Sequence, residues 1–103
     1  MSIVHPSGIE EFKKIIKEKP KVVVDFFATW CGPCIRIAPI YKKFAETYPE
    51  VTFVKVDIDE ESEIAQDCKI RAMPTFKFYK DGELHKSFEG ASQEKLEETI
   101  KEL

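Results

Sequence analysis

The sequence predicts an α/β domain, a central mixed five-stranded sheet flanked by four helices in the order βαβαβαββα. Three observations predict it. Short runs of β-branched and aromatic residues alternate with segments whose apolar residues recur at helical spacing, the pattern of crossover helices between parallel strands. Residues 22–27 are apolar on both alternating faces except at Asp25, which fits a central strand covered on both sides. Two late strand-like runs are joined through Asp81-Gly82, a hairpin signal that makes the last pair antiparallel.

Taken in order, Ile3 and Val4 form a short first strand. Ser7 and Glu10 have capping-box spacing, which satisfies orphan N–H groups at a helix start. Ile9, Phe12, Ile15 and Ile16 form the buried stripe of that helix, and Pro20 closes it by restricting Lys19. The central strand, 21–27, runs into Trp30-Cys31-Gly32-Pro33-Cys34, where a second helix begins and continues to about Tyr48. Pro39 lies inside this helix and predicts a kink between 35 and 39. A third strand, 51–58, alternates Phe53, Lys55 and Asp57 against Val54, Val56 and Ile58. Asp59, Glu60 and Glu61 put negative charge at the start of a short helix whose inner face carries Ile64, Ala65 and Cys68. Strands at 75–79 and 84–88 form the hairpin. Ser92 caps a last helix with Leu96, Ile100 and Leu103 on one side.

Residues 1–103 read as one domain, without repeats or linkers. A formal charge of −3 gives no electrostatic footprint for nucleic acid or an anionic membrane. The N-terminal residues show no basic region followed by an apolar core, and no apolar run approaches the roughly 18 residues of a membrane helix. A cytoplasmic chain is therefore expected, with the nucleus as a second compartment. There are three cysteines, an odd count. In a reducing compartment a Cys-x-x-Cys pair points to redox or metal chemistry rather than to a disulfide framework.

Placed at a helix start, a vicinal dithiol meets unpaired N–H groups and the positive end of the macrodipole, both of which favour a thiolate. On a helical wheel Cys34 lies roughly 60° and Cys31 roughly 120° from the centre of the apolar stripe, so Cys31 is expected to be exposed and Cys34 sheltered. Pro33 costs little in a first turn, and Gly32 lets another backbone approach. Other uses of the pair fit less well. So short a loop makes a weak structural staple. Zinc needs four ligands, and only Cys68, His5 and His85 remain. A c-type haem site fails because Ile35 stands where histidine is required.

Residues 24–34, Val-Asp-Phe-Phe-Ala-Thr-Trp-Cys-Gly-Pro-Cys, closely resemble the thioredoxin family. The resemblance extends through Lys55-Val56-Asp57 with Asp59, Met73-Pro74-Thr75, Asp81-Gly82 and Gly90-Ala91. Ala28-Thr29 and Cys68 are more similar to the cytosolic eukaryotic members than to bacterial ones. This likeness implies the thioredoxin fold and a protein disulfide reductase with Cys31 attacking and Cys34 resolving. It also implies acid/base work by Asp25 on Cys34, with Lys55 interacting with that acid, and a cis Met73–Pro74 bond facing the dithiol. Trp30, Ala72, Met73, Gly90 and Ala91 would form a flat docking rim, on which the Met73 backbone pairs with an extended substrate. No bound cofactor is implied. The redox-active disulfide Cys31–Cys34 is the working group, recharged from NADPH through a thioredoxin reductase. Clients of the family include peroxiredoxins and ribonucleotide reductase, and a monomer is expected.

Two positions depart from the family pattern. Ile35 stands where many members have lysine, and Phe27 where bacterial members often have tryptophan. Cys68 reads as a small apolar residue on a helix face, with a regulatory or intermolecular secondary thiol as the alternative. A non-catalytic binding subunit and an oxidase or isomerase remain competing functions at this level.

Overall fold

The computed structural model describes residues 3–103. Its elements are α1 (Ile9–Glu18), β1 (Lys21–Phe27), α2 (Gly32–Thr47), β2 (Thr52–Asp57), α3 (Ser62–Asp67), β3 (Thr75–Lys80), β4 (Glu83–Glu89) and α4 (Gln93–Glu102). The sheet order is β2-β1-β3-β4. β1 pairs in parallel with β2 and antiparallel with β3, and β3 pairs antiparallel with β4.

The sheet therefore has four strands, not five. Ile3 and Val4 do not make a strand: Val4 forms a single parallel bridge to Val54. Its N–H donates to Phe53 O at 2.8 Å and its carbonyl accepts from Lys55 N at 2.9 Å. Pro6 follows two residues later and has no N–H with which to extend a ladder.

β1 sorts the core into two layers. Side chains alternate across a strand, so Val22, Val24 and Phe26 point one way and Val23 the other. The first set packs with Phe12 and Ile16 of α1 and Ile64 of α3. Val23 packs with Ile37, Tyr41 and Phe44 of α2 and Leu96 and Ile100 of α4. By the same alternation Asp25 shares the face of Val23, beneath α2. Tyr41 fastens this layer: its hydroxyl, fully buried, lies 2.7 Å from Val54 O and 3.0 Å from Val23 O, sharing one proton between two strands.

Local signals fared unevenly. Asp81 and Gly82 have φ of 52° and 86°, the double positive φ of a type I′ hairpin turn. Ser92 Oγ accepts the Lys95 N–H at 3.1 Å, as expected of an N-cap. α2 runs as one helix through Pro39. The capping box at Ser7 and Glu10 does not form. Gly8 is the N-cap, at φ 87°, with no side-chain cap bond. Its N–H donates instead to Glu61 Oε1 at 3.0 Å. Glu61 is itself the N-cap of α3, so that helix starts after the acidic run rather than within it.

Removing the Ser92 cap leaves the Lys95 N–H without its partner, and α4 covers one face of the sheet. Ser92→Ala is expected to cost about 1 kcal/mol, read as a lower urea midpoint at unchanged slope.

Candidate active site

The two cysteines form a disulfide with Cα atoms 5.3 Å apart. Cys31 is the N-cap of α2, with extended backbone at φ −93° and ψ 111°. Its sulfur accepts the N–H of Cys34 at 3.2 Å, taking the role an oxygen usually plays at this position. Both sulfurs are sheltered: Cys31 is 6% exposed and Cys34 3%. The expected exposure of Cys31 thus fails. A wheel treats Cys31 as a helical residue, whereas its extended backbone turns the side chain inward against Ala28 and Met73.

Facing the pair, Met73 O lies 3.6 Å from Cys31 Sγ, and the Met73–Pro74 bond is cis. Thr75 Oγ1 donates to Ala72 O at 2.6 Å, and Gly90 N–H donates to Pro74 O at 2.9 Å. These bonds bring Ala72, Met73 and Pro74 beside the Gly90-Ala91 turn that follows β4. Gly90 adopts φ 103°, a region side chains rarely enter. Trp30, which precedes Cys31, stands 66% exposed, unusual for so large a ring. Its indole N–H donates to Asp59 Oδ2 at 2.8 Å. Asp59 is absent from the site residues that the sequence suggests, where it reads as negative charge at the start of a short helix. It is positioned by Asp57, whose Oδ1 accepts the Asp59 N–H at 2.9 Å in an Asx turn.

On β1, Asp25 is fully buried, and neither carboxylate oxygen has a hydrogen-bond partner among the described residues. Its register neighbours are Lys55 on β2 and Phe76 on β3. Burial raises its pKa to about 7, with the Lys55 ammonium pulling in the opposite direction. Lys55 Nζ sits 4.4 Å from the centre of the Phe27 ring. Lys55, Phe27, Cys34, Ile35 and Ala38 line an open cleft of about 250 Å³. Cys34 lines this cleft, whereas Cys31 and Met73 do not.

Cys68 is not brought to the pair. It is a free, half-buried thiol at the end of α3, packed in the layer on the opposite face of the sheet from Val23. Burial pushes its pKa up. Among the described residues no group of three or more histidine, cysteine or acidic side chains could hold a metal ion. Nor is any helix among them long and apolar enough to cross a membrane.

A disulfide at a helix N-terminus, facing a cis-proline loop, in a domain whose central strand buries an acid, defines a thiol–disulfide oxidoreductase. The comparisons with known proteins make the class specific. The thioredoxin family model matches residues 4–102. Thioredoxin-1 of Schizosaccharomyces pombe is 52% identical over 95 residues, 92% of each chain. The crystal structure of oxidised mitochondrial thioredoxin 3 from Saccharomyces cerevisiae superposes with a TM-score of 0.94 at 46% identity, covering 98% of this chain and 95% of that one. A chain from a structural study of thiol resolution in yeast mitochondrial 1-Cys peroxiredoxin, through glutathione and thioredoxin systems, gives 0.95 at 45% identity over 99% and 96%. The protein belongs to the thioredoxin family.

The Asp25 shift ties stability to pH. Between about pH 4 and pH 7 the folded chain holds a proton that the unfolded chain has released, so stability falls as pH rises through that window. A shift from 3.8 to about 7 corresponds to about 4 kcal/mol, fully lost above pH 7. Urea titrations of the oxidised protein and Asp25→Asn between pH 4 and 8 should show this slope in the parent and its loss in the variant.

Proposed function

We propose that the protein is a disulfide reductase in which Cys31 attacks and Cys34 resolves. The observation that carries this reading is the Cys34 N–H donated to Cys31 Sγ at the start of α2. In the reduced protein the same donor and the helix dipole stabilise a thiolate on Cys31. That thiolate attacks one sulfur of a client disulfide, forms the mixed disulfide and expels the other client sulfur as a thiolate. Asp25 then takes the Cys34 proton, through water in the cleft beside Cys34, and the Cys34 thiolate attacks Cys31 Sγ. This closes the disulfide and releases the second client thiolate, so two electrons have passed from the dithiol to the client. Lys55 favours the charged form of Asp25 and so makes the carboxylate available as a base.

Docking is assigned to Trp30, Ala72, Met73, Gly90 and Ala91, with Gly32, Pro33 and Pro74 shaping the backbone around the sulfurs. The Met73 carbonyl next to Cys31 suits an extended client segment that pairs with the loop backbone. The oxidised form is recharged by an NADPH-dependent thioredoxin reductase. A peroxiredoxin is a fitting client, given the system in which a similar chain was studied. The protein acts as a monomeric single domain in the cytoplasm, with the mitochondrial relative defining the compartment that cell fractionation must distinguish.

Insulin reduction by dithiothreitol should accelerate with the parent protein and fall to background with Cys31→Ser. Cys34→Ser should accumulate mixed disulfides through Cys31, identified by peptide mapping. Mixed disulfides found on Cys34 in a Cys31→Ser protein, and not on Cys31 in Cys34→Ser, would reverse the roles. Reduction of the oxidised protein by thioredoxin reductase with NADPH tests the recycling step.

A further inference from the structure

We propose that Arg36 is a specificity residue that favours client disulfides flanked by acidic side chains. The inference rests on the disulfide-reductase reading and extends it to the charge of the substrate. Arg36 is exposed on α2, four residues after Gly32. Its guanidinium lies back over the motif: a Cβ placed on Gly32 would stand 3.3 Å from Arg36 Nη1. A permanent cation is thereby held at the backbone between the two cysteines.

The fold does not account for this cation as a stabilising group. A positive charge in the first half of a helix is opposed by the macrodipole, and the first turn of α2 contains no acidic residue. The ion pairs among the described residues are Arg71–Glu89, His85–Glu102 and Lys86–Glu102, and none involves Arg36. On the Trp30 side of the disulfide the surface is acidic, with Asp59 holding the indole and Glu60 exposed beside it. A client arriving at Cys31 meets positive charge over Gly32 and negative charge next to Trp30. Such rim charges act mainly on encounter and register, and weaken with salt. An acidic side chain beside the client disulfide fits over Gly32, where a basic one is repelled.

The test uses two cyclic disulfide peptides, identical except for glutamate or lysine beside both cysteines. Second-order rates of their reduction by the pre-reduced full-length protein are measured by quench and chromatography. The parent should prefer the glutamate peptide. Arg36→Gln should slow that peptide about threefold, and Arg36→Glu should move the ratio of the two rates about fiftyfold toward lysine, as expected for charges some 7 Å apart in water. Both effects should collapse in about 0.5 M salt. A rate ratio unchanged by either substitution overturns the proposal. Equal slowing of both peptides, with a shifted Cys31 thiolate titration in ultraviolet absorbance, also overturns it and makes Arg36 a tuner of the sulfur. If the parent reduces neither peptide, the reductase reading itself fails.

Discussion

β1 has no exposed face, and the rest of the structure follows from that constraint. Val22, Val23, Val24 and Phe26 are each fully buried, so helices must lie on both sides of the sheet. The crossover through α2 joins β1 to β2 in parallel, while the β3–β4 hairpin supplies the other side with antiparallel pairing. The strand then ends at Phe27, and the chain can enter α2 only by a turn at its carboxyl end. Cys31 caps that turn. The position of the dithiol, just past the end of the central strand, is thus a consequence of burying β1. So is the isolation of Asp25, which sits within a strand buried on both faces.

The geometry also separates two effects at the sulfurs. Lowering a thiol pKa from about 8.5 to about 7, the value characteristic of thioredoxins, raises the thiolate fraction at pH 7 roughly 15-fold. A Brønsted slope near 0.45 gives back roughly fivefold in nucleophilicity, leaving about threefold. The N-cap bond to Cys31 Sγ therefore does modest kinetic work as a tuner. Its larger effect is positional: it holds Sγ over the first turn of α2, where Cys34 follows three residues later. An attack between groups so placed is intramolecular, and effective molarities for well-oriented reactions reach about 10⁵ M and above. The same rigid first turn that suits a disulfide therefore makes the second step fast.

Much of this was legible in the sequence because the signals were local. The double-faced apolar run marked β1, Asp81-Gly82 marked the I′ turn, and Ser92 marked the start of α4. Where the reading failed, a distant partner or a change of backbone state had intervened. Ser7 lost its capping role because Gly8, at φ 87°, is itself the N-cap, and its N–H donates to Glu61, 53 residues further on. Ile3 and Val4 have strand-like side chains, but Pro6 ends the ladder after one bridge. Cys31 was misplaced because a residue at a helix boundary does not obey helical periodicity. Asp59 was invisible as a site residue because its partner Trp30 is 29 residues away and joined only through the fold. The cis state of Met73–Pro74 was available from resemblance alone, since pattern favours trans at any single X–Pro bond.

In the proposed mechanism the balance at Asp25 governs the proton of Cys34. A carboxylate with no hydrogen-bond donor is costly to bury, and burial here outweighs the attraction of the Lys55 ammonium. Were Lys55 in direct contact, the acid would stay ionised and hold no proton at neutral pH. Its ammonium instead lies over the Phe27 ring, in the wall of the cleft that also touches Cys34. The attraction is therefore felt through space rather than spent in a bond. That leaves Asp25 near its midpoint at neutral pH, the condition under which an acid can take a proton and return it with similar ease. A stronger Lys55 contact would favour fold stability at high pH and weaken Asp25 as a base. The uncompensated burial that destabilises β1 is thus the same feature on which the proposed transfer of the Cys34 proton to Asp25 depends.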